Sequence, residues 1–315
     1  GRANMKVSAK RFLIENNTYF VFLCLFIICC IASNSFLSVM NLRNIALQQA
    51  APICVVLGML MVIKTGGIDL SVGSVMALGS SVTAVLITNH GIHFIPAMLI
   101  ALAVGLLCGL LSGVLVAYFN FQGFVASLVT MTSARGIALI ITNGQPVKMD
   151  KVTLATLVNK EYGYPILIIT LLLILVFVFV EKYTSYGRIV TAIGSNRQAV
   201  DLSGIHSRVY LSSVYAASGM MAALAGVFVA ARASTGNGVI GSGQELDAIA
   251  ACVIGGASLA GGKGEVFKAV VGALVLALIG NIMNLMAVPP YPQDIIKGGI
   301  IAAAVLLQLM TDKTK

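Results

Sequence analysis

Residues 65–74, Thr-Gly-Gly-Ile-Asp-Leu-Ser-Val-Gly-Ser, separate two long apolar runs and decide how this chain folds. A glycine-rich turn followed by Asp69 is typical of a helix start, because a carboxylate there accepts hydrogen bonds from free backbone N–H groups and complements the helix dipole. We therefore predict that one helix ends near Lys64 and that a new helix begins after Asp69. The residues assigned to this helix start are Gly66, Gly67, Asp69 and Ser71.

A second stretch with the same order of features lies at residues 244–251, Gln-Glu-Leu-Asp-Ala-Ile-Ala-Ala. An Asp preceded by an aliphatic residue again opens an apolar run, so Glu245 and Asp247 are assigned as helix-start residues. One motif falls on the inner side and the other on the outer side of a ten-span arrangement. The pairing predicts inverted-topology repeats formed by spans two to five and seven to ten, a construction common in transporters. A chance match of two short motifs is the alternative.

The composition describes a chain that lies almost entirely in a bilayer. Of its residues, 58% are hydrophobic and 10% are charged, and the mean hydropathy is +0.98. Soluble domains carry roughly 25% charged residues, and disorder requires low hydrophobicity. Continuous apolar runs also differ from the alternating strands of an outer-membrane barrel. We predict an all-α polytopic membrane protein with about ten transmembrane helices and inverted-topology repeats.

Ten apolar runs bounded by charges, Gly or Pro are long enough to be predicted as spans. Their positions are about 18–37, 45–64, 70–89, 94–118, 124–142, 165–181, 208–232, 245–261, 266–287 and 293–311. With the N-terminus inside, most Lys and Arg residues of the connections fall on the cytoplasmic side, as the positive-inside rule requires. We expect a multi-pass protein of the cell inner (plasma) membrane with cytoplasmic N- and C-termini. Residues 1–4 look like a remnant ahead of Met5, and residues 5–315 form a single transmembrane domain.

The connection at about 182–207 is long, carries mixed charge and contains helix-capping signals. Ser195 followed by Gln198 fits a capping box, and Gly204 fits the left-handed residue after a helix end. These signals predict a short cytoplasmic helix outside the bilayer. An incidental surface turn is the alternative.

Arg135 falls within the fifth predicted span, where an arginine costs about 2.5–3.5 kcal/mol on insertion scales. It must therefore face protein or water. It is either a residue of a transport pathway or one partner of a structural ion pair, for which Asp247, Glu245 and Asp294 are the candidate carboxylates.

Two further groups of residues in the predicted spans point to helix packing. Gly105, Gly109 and Gly113 form a double G-x-x-x-G pattern, which predicts close helix packing. Asn281 and Asn284 lie three residues apart and share one helix face, so their amides either bind a hydroxylated solute or tie helices together.

Several other patterns do not indicate a metal-binding, catalytic, ATP-binding or nucleic-acid-binding site. The six cysteines lie in apolar segments without metal-ligand spacing, so no metal site is predicted. No combination of nucleophile, base and orienting group suggests a catalytic residue. The Gly261-Gly262-Lys263-Gly264 stretch lacks the first Gly and the Ser or Thr of a phosphate-binding loop, so the chain does not bind ATP by itself. The net charge of +9 is distributed over connections, so no nucleic-acid partner is expected.

Taken together, these residues resemble the membrane-spanning permease subunit of an ATP-binding-cassette importer, of the branch that contains ribose, xylose, galactose and arabinose permeases. The resemblance rests on residues 65–74, on Gly194-Ser195-Asn196 with Ala199 and Ser203-Gly204-Ile205, and on residues 245–264. It covers nearly all of 5–315. Permeases of this branch are similar to the vitamin B12 importer in having about ten spans per subunit.

The resemblance implies a set of partners and leaves the solute open. It implies import by alternating access of a small hydroxylated solute, with a pentose or hexose as the first expectation. Nucleosides and furanose-like signalling molecules remain alternatives, and an ion-coupled secondary transporter is the competing class. The implied partners are a cytoplasmic ATPase subunit that carries ATP and Mg, an extracytoplasmic solute-binding protein, a second or homologous permease forming a dimer, and the lipid bilayer. The residues implied to couple to the ATPase are Arg188, Gly194, Ser195, Asn196, Arg197, Ser203 and Gly204.

Overall fold

The computed structural model describes residues 14–149 and 164–312, which form eleven α-helices and two short strands. The helices are α1 (Asn17–Ala32), α2 (Val39–Lys64), α3 (Val72–His90), α4 (Phe94–Phe119), α5 (Gly123–Ile141), α6 (Tyr164–Tyr183), α7 (Ser185–Leu202), α8 (Ser207–Ala233), α9 (Gln244–Ile254), α10 (Val266–Leu285) and α11 (Pro290–Asp312). The strands β1 (Val147–Lys148) and β2 (Thr235–Gly236) pair antiparallel. The prediction of an all-α polytopic membrane protein is confirmed. The expected remnant at residues 1–4 lies outside the described residues.

Each of the ten predicted spans contains a helix, but the helices differ in length. In the described part of the chain, seven are long and apolar enough to cross a membrane. Helix α1 has 16 residues and α9 has 11. At 1.5 Å per residue, α9 extends about 16 Å, roughly half of a hydrocarbon layer. The prediction of one continuous helical span at 245–261 is therefore wrong, because the chain turns after Ile254 at Gly255 and Gly256.

Helix α8 lies at the centre of the bundle and packs against α2, α3 and α4 through small residues. A Cβ added to Gly105, Gly109 or Gly113 of α4 would overlap the backbone of α8. The predicted close packing of this face is therefore confirmed. Small residues allow such backbone approach, which drives helix association where burial from water contributes little.

The helix directions define two faces of the bundle. The face that carries α7 also contains the end of α2 at Lys64, the end of α6 and the start of α10 at Val266, and we call it the α7 face. The opposite face, called the far face, contains the paired strands and the end of α8 at Ala233.

Candidate functional site

Asp69 lies inside the bundle, two residues before Ser71, which is the N-cap residue of α3. Its side chain is fully buried, and its Oδ1 accepts hydrogen bonds from the backbone N and the Oγ of Ser71 at 2.9 and 2.6 Å. Its Oδ2 accepts a hydrogen bond from Ser218 Oγ at 2.7 Å. Ser218 is the twelfth residue of α8, about 16 Å from the start of that helix at 1.5 Å per residue. Residues 65–71 therefore enter the bundle from the α7 face, and α3 begins near the middle.

The segment between β2 and α9 enters the bundle from the far face and meets the start of α3. Gly241, at φ +80°, lies so close to Gly73 that a Cβ on either glycine would overlap the other's backbone. From this meeting point α3 runs to the far face and α9 runs to the α7 face. Two helix N-termini thus begin in the interior and diverge, which is the arrangement that an inverted-topology repeat produces.

Arg135 holds the segment that leads into α9. Its Nη1 donates hydrogen bonds to the carbonyl oxygens of Gly238 and Ile240, both at 2.7 Å. It is the thirteenth residue of α5, about 18 Å along that helix. Non-helical backbone at this depth has carbonyls that need donors, and a guanidinium needs acceptors. The guanidinium therefore provides the donors that the two carbonyls need, and the carbonyls provide acceptors for the guanidinium.

The close contacts of Arg135 are thus backbone carbonyls and not the carboxylate of an ion pair, although the candidate carboxylate Glu245 is near enough to interact with it electrostatically. Asp247, one of the candidate carboxylates, instead lies 3.6 Å from Lys297, measured from Oδ2 to Nζ. The sequence could not distinguish the two arrangements, because backbone carbonyls leave no signature in it.

A cavity of about 210 Å³ lies between α2, α9, α10 and α11, and its lining includes Asn281, Asn284 and Gln293. Asn281 and Asn41 exchange two amide hydrogen bonds, at 2.8 and 3.0 Å, and thereby join α10 to α2. Gln293 Nε2 donates to Asn284 Oδ1 at 2.8 Å and joins α11 to α10. These asparagines therefore tie helices together and also line a polar cavity.

A second polar cluster joins α7 to the bundle, and we call it the α7 junction: Lys64, Glu181, Gly194, Gly262 and Val266. Lys64 Nζ lies 2.6 Å from Glu181 Oε1, with side chains 4% and 7% exposed. Glu181 Oε2 accepts the backbone N–H of Val266 at 2.9 Å, and the Gly262 N–H donates to the Lys64 carbonyl at 2.9 Å. A Cβ on Gly194 would overlap that same carbonyl. The junction thus connects α2, α6, α7 and α10.

Sequence reasoning missed Glu181, because a glutamate next to Lys182 at the end of an apolar run looks like an ordinary connection charge. The nearby capping box was also assigned to the wrong residue. Ser195 is still helical and donates from Oγ to the Thr191 carbonyl at 3.2 Å. Asn196 leaves helical geometry at φ −161° and ψ 93°, and its Oδ1 accepts the Ala199 N–H at 3.0 Å. Asn196 is therefore the cap, and the short helix has two segments.

The predicted coupling residues divide into an exposed set and two residues that hold α7 in place. Arg188, Ser195, Asn196, Ser203 and Gly204 are exposed. Gly204 has φ +86°, which confirms the predicted left-handed residue after the helix. The two residues that hold α7 in place are Gly194, which packs against the Lys64 carbonyl, and Arg197.

Arg197 fixes α7 to two neighbouring helices. Its Nε donates to Ser207 Oγ at 3.0 Å, and its Nη2 donates to the Ala117 carbonyl at 3.2 Å. Close by, hydrogen bonds from Ser207 hold the pKa of Asp201 below its ordinary value. The connection between α7 and α8 is therefore ordered by polar contacts at the surface.

Comparisons with known proteins find similarity to transport permeases over nearly the whole chain. Residues 41–305 match the family model described as "Branched-chain amino acid transport system / permease component". The ribose import permease of Haemophilus influenzae is 39% identical over 94% of this chain and 93% of its own length. The ribose import permease of Bacillus subtilis is 36% identical over 90% and 89%, and the galactofuranose transporter permease of Escherichia coli is 38% identical over 83% and 78%. No solved structure matches.

Proposed function

The chain belongs to the family of branched-chain amino acid transport system permease components, and we propose that within it the chain is the membrane-spanning subunit of an ATP-driven sugar importer. The observation that carries this proposal is the similarity to ribose permeases, at 36–39% identity over at least 90% of the chain. The xylose permease of Haemophilus influenzae and the galactofuranose permease extend the set to other monosaccharides. The chain is a transport subunit and not an enzyme, and its solute is a pentose or hexose.

The partners of this subunit are a cytoplasmic ATPase that binds ATP and Mg and an extracytoplasmic solute-binding protein. We place the α7 face in the cytoplasm, which puts the start of α1 and the end of α11 there as well. The bond between Lys268 Nζ and the Glu15 carbonyl places the start of α1 beside that of α10, on the α7 face. The excess of Lys and Arg in the connections on that side supports the cytoplasmic orientation. The protein then lies in the inner membrane with both termini cytoplasmic.

Residues 182–207 are the coupling segment of a single transmembrane domain. The α7 junction supports this role, because α7 packs against the Lys64 carbonyl and Gly262. A displacement of α7 is therefore transmitted to the chain that leads from α2 into α3 and to the turn between α9 and α10. Exposed Arg188, Ser203 and Gly204 are accessible to an ATPase, and two permease subunits, identical or homologous, pair to form the transporter.

Uptake in proteoliposomes tests the function. The permease is reconstituted with its ATPase and binding protein, and uptake of labelled D-ribose, D-xylose and D-galactose is measured with and without ATP. We expect uptake of at least one sugar to require ATP and to stop with a hydrolysis-deficient ATPase. Uptake that persists with the inactive ATPase would overturn the proposal. Crosslinks from Ser203 that reach the ATPase would support the coupling segment, and crosslinks that reach only lipid would contradict it.

A further inference from the structure

We propose that the cavity between α2, α9, α10 and α11 binds one neutral monosaccharide ring, so that this subunit selects its solute in addition to the binding protein. This inference rests on the proposed function as a sugar importer. It goes beyond that function because it assigns a binding site to the membrane-spanning chain.

The cavity has hydrogen-bonding groups without protein partners. Among the described residues, the side chains of Gln48, Gln49 and Gln244 line it and make no hydrogen bond to protein. Pro52 also lines it and has no N–H, so the carbonyl of Gln48 loses its usual helical donor. Carboxamides both donate and accept, and a free carbonyl accepts. This set matches sugar hydroxyls, which also donate and accept.

The charge of the cavity favours an uncharged ligand. Its charged lining residues in the described part of the chain are Asp247 and Lys297, which lie 3.6 Å apart and balance each other. A sugar phosphate or a sugar acid would bring a charge without a partner, and burying an unpaired charge is costly. The cavity therefore discriminates against ionised solutes.

Size and depth also fit a single sugar ring. A volume of about 210 Å³ equals about seven water molecules at roughly 30 Å³ each, which is enough for one sugar ring. Its lining extends from Asn284, at the far-face end of α10, down to Gln244 at the start of α9 in the interior. A solute entering from the far face thus reaches the start of α9 in the bundle interior.

Gly280 offers a way to fill the cavity without disturbing the fold. It lines the cavity, and a Cβ added to it meets no atom within 4 Å. Gly280→Leu should occupy the site while the melting temperature stays at or above that of wild type, because leucine favours a helix more than glycine does. Gly299→Leu on α11 is the matched control, since its Cβ also meets nothing and it does not line the cavity.

The experiment uses the complete complex with ATPase and binding protein, together with the purified subunit in nanodiscs. D-ribose, D-xylose and D-galactose are the probes. We measure sugar transported per ATP hydrolysed, and millimolar sugar binding by equilibrium dialysis. Gly280→Leu should abolish binding to the subunit and lower the transport ratio at least tenfold, whereas Gly299→Leu should match wild type.

The double variant Gln49→Leu/Gln244→Leu tests the polar contacts separately. Losing two hydrogen bonds should weaken sugar binding about tenfold or more, because polar groups of the bound sugar then lack partners. Gln145→Leu, at an exposed position away from the cavity, is its control and should bind sugar as wild type does. Absence of sugar binding to the wild-type subunit, or a wild-type transport ratio in Gly280→Leu, would overturn the proposed site. The import function would survive either result, because it fails only if uptake does not depend on the ATPase.

Discussion

Removal of one partner of the Lys64–Glu181 ion pair should destabilise the protein strongly. Removal of both partners should lower the free energy of unfolding by less than the sum of the two single substitutions. At 2.6 Å and an effective dielectric constant of about 20, the attraction is about 6 kcal/mol. Desolvation of two side chains that are 4% and 7% exposed costs several kcal/mol per ion and offsets much of it. A single Lys64→Met or Glu181→Gln substitution leaves polar groups of the other side chain unmatched. The expected cost is about 3–5 kcal/mol.

The double variant Lys64→Met/Glu181→Gln leaves no charge buried, and the glutamine oxygen still accepts the Val266 N–H. We therefore expect a coupling energy of about 2 kcal/mol or more, a size typical of residues in one network. Reversible unfolding in mixed micelles by titration with dodecyl sulfate provides the free energies. The reasoning would be refuted if each single substitution lowered the free energy of unfolding by less than about 1 kcal/mol and the two effects were additive in the double variant.

The pair Lys268–Glu265 is the matched control for this cycle. Its atoms lie 2.9 Å apart, but the side chains are 18% and 47% exposed. Glu265→Gln, which keeps the bond from Lys268 Nζ to the Glu15 carbonyl, should cost less than about 1 kcal/mol of unfolding free energy, because water solvates the ammonium group when the carboxylate is lost.

Gly194→Ala should lower the free energy of unfolding by about 1–3 kcal/mol, because the added methyl group overpacks the α7 junction, and it should also reduce transport-coupled ATP hydrolysis. Gly298→Ala is the control, since a Cβ there meets no atom, and it should leave both quantities unchanged in the same assays. Arg135→Leu should cost about 2–4 kcal/mol of unfolding free energy and reduce uptake, because two carbonyls lose a charged donor; silent behaviour would contradict its placement. Gly204→Val should cost about 1–3 kcal/mol and impair coupling, since φ +86° strains a β-branched residue, and thermal unfolding measures the loss. Asp201, whose pKa is lowered, should stabilise α7 at neutral pH and lose that effect as the pH falls from the ordinary Asp range through the lowered pKa; Asp201→Asn should remove this pH dependence of thermal unfolding.

The sequence by itself determined the class of protein and the position of most helices. Apolar runs of about 20 residues can cross a bilayer only as helices, because each backbone polar group must find a partner within its own segment. The small-residue face of α4 and the left-handed Gly204 were also predictable. Both depend on residue type at a fixed spacing, which is visible without neighbours.

The short length of α9 was not predictable from hydropathy. Residues 245–261 have the composition of a span, yet the helix ends at Ile254. The reason is that the preceding segment descends to meet Gly73, so only half of the bilayer remains to be crossed. Depth is a property of the packed bundle and leaves little trace in local sequence.

Only the tertiary structure decided which partners the polar residues have. Asp69 was identified as a helix-start carboxylate, but its bond to Ser218 crosses 149 positions of sequence. Arg135 proved to bind carbonyls, and Glu181 was not singled out at all. Patterns of residue type reveal helices because helical contacts repeat at a fixed spacing, whereas contacts between helices depend on how the backbones pack, and that packing is set by the bundle as a whole.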